Sequence, residues 1–254
     1  MTGRANSWWQ DFFNQRSSLD LSRFPDAEET QREVAGLIRI LKIRGQQRIA
    51  DVCCGYGRHV VPLAQRGHIV FGIDIAPLML AKARRWLEKD RVQAFLVRAD
   101  ARQLPFADNL FDVVLNLFNS FGYCESEADN QRILTESARV LRPGGKFLLE
   151  TRNRPHQIMF APHYLPMETT DGQRFILRCR YDRAAHRLIS EWRQTENGPV
   201  VHQASIRLYG IDELDEMMAA AGLRKTAIYG DYEATPFAGY QRQVLYLAEK
   251  PVCR

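Results

Sequence analysis

The chain has 254 residues, 45% hydrophobic and 26% charged, enough for a sizeable core in one large domain or one domain with an insertion; disorder, collagen and coiled coil are excluded. The most apolar stretch, 69–80, is interrupted by Asp74 and falls short of the ~18 residues of a membrane span. The net charge of +5 comes from 35 basic residues scattered among 30 acids, with no basic stripe, so neither nucleic acid nor membrane is expected as a partner.

No apolar h-region or small-residue cleavage site opens the N-terminus, so a cytoplasmic location is expected. The cysteines Cys53, Cys54, Cys124, Cys179 and Cys253 lack CxxC spacing, which argues against a disulfide framework or a structural zinc site.

In chain order, "WWQDFF" (8–13) places Trp9, Phe12 and Phe13 on about one helical face, ahead of a charged linker at Asp26–Glu29. From Glu29 to Ile43, Val34, Leu37, Ile38 and Leu41 fall at helical spacing. Strand and helix then alternate: "RIADV" (48–52), "HIVFGID" (68–74), a helix opening at Pro77 with Leu80, Ala83 and Leu87 on one face, "QAFLVR" (93–98) and "LFDVVLNLF" (110–118). Such alternation implies a parallel sheet covered on both faces. A helix follows over about 127–141, and "RPGGKFLLET" turns through Pro-Gly-Gly into another strand. The rhythm then changes. Alternating apolar and basic residues over 173–181, with Asn197-Gly198 between "LISEWRQ" and "VVHQASIRL", read as a small antiparallel sheet. After it Leu214, Met217, Met218 and Ala221 form a helical stripe stopped by Gly222, and strands follow near 224–231 and 241–248. The expected organisation is an N-terminal segment (1–28), a nucleoside-binding core (29–159), an antiparallel insertion (160–209) and a return to the core (210–254).

The segment from Asp51 to Asp74 joins a strand to a helix through Gly55 and Gly57 and returns to a strand ending in an acid. Glycines there let backbone amides approach a ligand, and the acid can accept hydrogen bonds from both ribose hydroxyls. A dinucleotide site would prefer a third glycine where Val60 stands, which disfavours NAD and FAD. Asp100-Ala101 ends the third strand, where an acid can accept from an adenine amino group.

With "FDVVLNLFNSFGY" and "LRPGGKFLLE" completing the ordered set, the chain resembles the class I S-adenosylmethionine-dependent methyltransferases over about 29–155 and 206–250. The resemblance implies an α/β fold with a Rossmann-like, doubly wound, seven-stranded sheet whose last strand is antiparallel, and S-adenosyl-L-methionine as cofactor. By that likeness the backbone from Asp51 through Cys53 and Gly55 to Gly57 cradles the methionyl part. Asp74 takes the ribose, Ile75 and Met79 flank the adenine, Asp100 and Ala101 meet its polar edge, and the Leu117 carbonyl faces the ammonium. Cys53 departs from the usual pattern by replacing the first glycine of G-x-G-x-G.

Methyl transfer from a sulfonium needs alignment and exclusion of water; a neutral amine brings its own lone pair, whereas a hydroxyl needs a base or metal. Phe118, Asn119, Ser120 and Tyr123, after the fourth strand, are the expected acceptor-side residues, with Tyr123, His156 and His163 as candidate catalytic groups. The Asn/Asp-Pro-Pro-Tyr/Trp signal of nucleic-acid adenine methylation is absent, and no clustered carboxylates suggest a metal. The aromatic N-terminus, with Trp9 and Phe13 as substrate contacts, is either a lid over the site or core packing. The expected function is methylation of a small molecule, N-methylation favoured over O-methylation. A binding protein without methyl transfer is the alternative. Oligomerisation through the insertion is a further option.

Overall fold

The computed structural model describes residues 8–13, 25–161, 163–168, 172 and 174–252. A short helix, α1 (Trp8–Phe12), precedes α2 (Ala27–Leu41), whose stripe of Val34, Leu37 and Leu41 is buried. Asp26 to Glu29 is not a linker. Asp26 is the N-cap of α2, its side chain accepting from the Glu29 N–H at 2.8 Å, and Glu28 and Glu29 lie in the first turn, where the helix dipole favours acids.

Alternation then proceeds through β1 (Arg48–Val52), α3 (Val60–Gln65), β2 (Ile69–Asp74), α4 (Pro77–Asp90), β3 (Phe95–Arg98), β4 (Phe111–Asn116), α5 (Glu127–Val140) and β5 (Leu141–Arg152). After an excursion described below, α7 (Ile211–Ala220), β10 (Arg224–Tyr229) and β11 (Gln243–Glu249) complete the sheet. Its seven strands stand in the order β10-β11-β5-β4-β1-β2-β3, and only β11 runs antiparallel to its neighbours. Because both faces are covered, the central strands are apolar on both sides. Ile49 belongs to the core shared with α2, α3 and α4, while Ala50 belongs to the core shared with α5 and α7. The Pro-Gly-Gly turn is a loop-out within β5: Leu141 pairs with Phe111 but Lys146 with Val113, so 142–145 bulge away and Gly144 donates to the Lys250 carbonyl at 2.7 Å.

Between β5 and α7 the chain forms α6 (Arg154–Phe160) and then β6 (His163–Glu168), β7 (Arg174–Asp182), β8 (Arg187–Arg193) and β9 (Val200–Arg207), which pair in sequence as a four-stranded antiparallel sheet. Cys179, Leu188, Ile206 and Leu208 give it a small core of its own. The Asn197-Gly198 hairpin joins β8 to β9 through a loop longer than a two-residue turn, closed by Gly198 N–H to the Thr195 carbonyl at 3.1 Å. Helix α6 is not announced by periodicity, because Gln157 is its one buried side chain. Among the described residues no helix is long and apolar enough to cross a membrane.

Candidate active site

The turn after β1 carries three residues in the left-handed region: Cys53 (φ 64°), Gly55 (φ 55°) and Gly57 (φ 82°). Cys53 thus adopts the backbone that a glycine takes more cheaply, at a cost of roughly 1–2 kcal/mol. Gly57 is required for a second reason: a Cβ added there would stand 3.0 Å from the Ala83 Cβ on α4. Burial and the carboxylates of Asp74 and Asp51 push the Cys53 thiol up, so it stays protonated and is no nucleophile.

At the end of β2, Asp74 accepts from the Gly55 N–H (Oδ2, 2.8 Å) and the Ala76 N–H (Oδ1, 2.9 Å), which ties the two turns together. Burial raises its pKa against these bonds. Asp51, on β1, is 2% exposed and its Oδ2 has no hydrogen-bond partner among the described residues. Burial pushes its pKa up to about 7, opposed by Arg58 and reinforced by Asp74. Met79 packs with Tyr56, Ala76 and Phe13, and Ile75 beside them is half-buried.

Asp100 does not stand free. Its carboxylate is forked by Arg102 (Nε–Oδ1 3.0 Å, Nη2–Oδ2 2.6 Å), and against burial this guanidinium holds its pKa below the usual value. Arg102 also reaches Asp129 at 3.0 Å and lies 5.9 Å from the Trp9 ring. Ala101 is half-buried beside it.

After β4 the Leu117 carbonyl already accepts from Ser120, through N–H (3.3 Å) and Oγ (2.8 Å). Phe118 and Asn119 both have positive φ (54° and 59°), uncommon for side chains of this size. The turn is held because Glu150 on β5 accepts from the Phe118 N–H at 2.7 Å and from the Tyr232 hydroxyl at 2.7 Å, while Arg58 stands 4.8 Å over the Phe118 ring. The Asn119 Oδ1 is buried with no hydrogen-bond partner among the described residues. Tyr123 is sandwiched by the N-terminal aromatics: Trp8 at 5.1 Å and Phe13 stacked at 5.9 Å. Phe12 reaches the insertion at Trp192 (5.1 Å) and His202 (6.0 Å).

The structure therefore gathers Asp51, Gly55, Asp74 and Met79 around one turn, and Phe13 joins that group to Tyr123. His156 and His163 fall instead on α6 and β6, both against Phe160. Four features escape sequence reading: the orphaned Arg152, the role of Trp8, the Glu150–Tyr232 pair, and the clamp in which Glu33 on α2 takes Arg58 (2.5 Å) and His59 (2.9 Å). Arg58 and His59 are adjacent to the glycines and could have been singled out; their partner lies 25 residues earlier in sequence and carries no local signal. Among the described residues no three His, Cys, Asp or Glu side chains converge on a metal position.

An unpartnered carboxylate oxygen, a glycine-bearing turn and an acid ending β2 fit a nucleoside with a cationic tail. The methyltransferase-domain family matches residues 49–145. Over 213 residues the chain is 30% identical to a demethylmenaquinone methyltransferase of Tropheryma whipplei, covering 84% of this chain and 79% of that one. The chain belongs to the S-adenosylmethionine-dependent methyltransferases. An uncharacterized methyltransferase of Synechocystis is 37% identical over 123 residues, a match spanning 48% of this methyltransferase and 55% of that relative. The fold matches that of CcbJ, a methyltransferase of Streptomyces caelestis (TM-score 0.78, 20% identity, 95% and 98% of the chains). It also matches KedS8, a sugar N-methyltransferase of Streptoalloteichus (0.67, 21%, 91% and 91%). S-adenosylmethionine is the cofactor of this methyltransferase.

Proposed function

We propose that this methyltransferase methylates the nitrogen of a small-molecule amine. The observation that carries the reading is the character of the acceptor-side groups. Phe118, Asn119 and Ser120 have no basic side chain, and burial pushes the Tyr123 phenol up to about 12, so none of the four removes a proton near neutral pH. An amine that arrives neutral needs no such group. The buried Asn119 Oδ1 offers an acceptor for an amine N–H.

When bound, S-adenosylmethionine supplies an electrophilic methyl group on a sulfonium. In this reading Asp51 and the backbone to Gly57 hold the methionyl end, Asp74 accepts from the ribose hydroxyls, and Asp100 with Ala101 borders the adenine. Trp8, Phe13 and Tyr123 exclude water and orient the acceptor, since alignment is the main requirement of an in-line displacement. The insertion forms the far wall through Trp192 and His202. The sugar N-methyltransferase likeness supports nitrogen as the target.

A panel of matched acceptors, each amine paired with its hydroxyl analogue, tests the proposal with mass-spectrometric detection of product. Methylation of amines and not of the matched alcohols is expected. Transfer only to hydroxyls would move the activity to O-methylation, and S-adenosylhomocysteine binding without any transfer would favour a binding protein.

A further inference from the structure

Arginines inside this fold are generally matched to acids. Arg58 faces Glu33, Arg102 faces Asp100 and Asp129, Arg139 faces Glu136, and Arg207 faces Glu127. Two arginines have a buried Nε with no hydrogen-bond partner among the described residues: Arg178, which lies 5.7 Å over the Tyr164 ring, and Arg152. Arg152 is the last residue of β5, its Nε is buried, and its side chain has no hydrogen-bond or ion-pair partner among the described residues. The acid nearest in sequence, Glu150, is already committed to the Phe118 N–H and the Tyr232 hydroxyl.

The surroundings supply no direct partner among the described residues. Asn153 latches the 239–242 loop to the end of β5, donating through Nδ2 to the Gly239 and Gln241 carbonyls (2.9 and 2.7 Å) and through its backbone to the Arg242 carbonyl (3.1 Å). A second arginine is thereby fixed beside the first. Burial lowers the pKa of Arg152 and Arg242 adds to this, while Tyr123, Cys179 and, at longer range, Glu150 oppose it. Near Tyr123 a further donor is orphaned, the buried Trp8 Nε1. A half-buried guanidinium whose buried Nε has no hydrogen-bond partner is unfavourable, so its retention at the carboxyl end of a strand, where ligands of open α/β sheets bind, points to a ligand that completes it.

We infer that Arg152 reads a carboxylate on the methyl acceptor, so that the substrate is a carboxylate-bearing amine whose anionic end lies among Arg152, Tyr123 and Trp8. This rests on the acceptor reading given above. The guanidinium fork matches a planar carboxylate in a bidentate way, and neutral donors from Tyr123 and Trp8 suit a single negative charge. At the other end, Asn119 Oδ1 is left for the amine.

The test uses the full chain loaded with S-adenosylhomocysteine and titrated with benzoate, benzamide and phenylphosphonate, before and after Arg152→Met. Benzoate is expected to bind about tenfold or more tightly than the isosteric benzamide. In R152M that preference should vanish while S-adenosylhomocysteine affinity is retained and the melting temperature is unchanged or higher, because an unpaired charge has been removed. Equal binding of benzoate and benzamide, a preference surviving R152M, or tighter binding of phenylphosphonate than benzoate overturns the inference. So does a fall in the R152M melting temperature beyond about 5 °C, which would make the arginine structural. Failure of the wild-type chain to bind S-adenosylhomocysteine would instead strike the cofactor-site reading itself.

Discussion

Asp51 and Asp74 stand at the ends of adjacent strands, yet their environments separate them. Asp74 is stabilised by two backbone N–H groups, whereas Asp51 keeps one buried oxygen without a partner and is pushed up to about 7. The linkage follows from the sign of that shift. The folded value lies above the 3.8 of an ordinary aspartate, so the folded chain binds the extra proton between roughly pH 4 and 7; Asp51's contribution to stability falls across that window as pH rises. A cationic ligand reverses the preference, because it favours the ionised carboxylate. S-adenosylhomocysteine should therefore bind about tenfold more weakly at pH 6 than at pH 8, with proton release on binding near neutrality. Asp51→Asn should flatten the profile. A flat calorimetric profile in the wild-type chain would show that Asp51 does not face the ligand's cation.

Elements were legible in proportion to how much local pattern they carry. β1 lies where "RIADV" placed it, and Pro77 opens α4 as expected, because strand hydrophobicity and an N1 proline are local signals. Asp74 and the Gly55–Gly57 turn were legible for the same reason. Asp100 is legible as a position, but not its engagement by Arg102, and the Asp26–Glu29 cap reads as a linker in sequence because acids mark both. What sequence could not convey is contact across long separations, and the Glu33 clamp is the case with mechanical consequences. Glu33 fastens α2 to the turn that follows the second glycine, through side chains only 6% (Arg58) and 12% (Glu33) exposed. Glu33→Gln leaves the Arg58 charge buried and uncompensated, an effect of about 3–5 kcal/mol for a buried pair. The urea midpoint should shift down with little change in slope, and S-adenosylhomocysteine should bind more weakly. An unchanged midpoint would mean that the clamp contributes nothing to holding the turn.

Across the whole molecule, α1 and the Phe13 that follows it reach several parts of the candidate site. Trp9 is buried beside Arg102 near the end of β3, Phe13 joins Met79 to Tyr123, and Phe12 leans on Trp192 of the insertion. Among the described residues, none of these belongs to the two large cores on either face of the sheet, and Trp8 and Phe13 pack against the small satellite clusters. We propose that the sheet can stand without α1 and that α1 acts as a lid over the site. Deleting residues 1–20 is expected to leave a cooperatively folding protein that binds S-adenosylhomocysteine more weakly and releases it faster. Methyl transfer should fall by about a hundredfold or more as water enters and the acceptor loses its aromatic wall. Aggregation or loss of cooperative unfolding in the truncated chain would instead assign α1 to the core, and undiminished transfer would remove it from the site altogether.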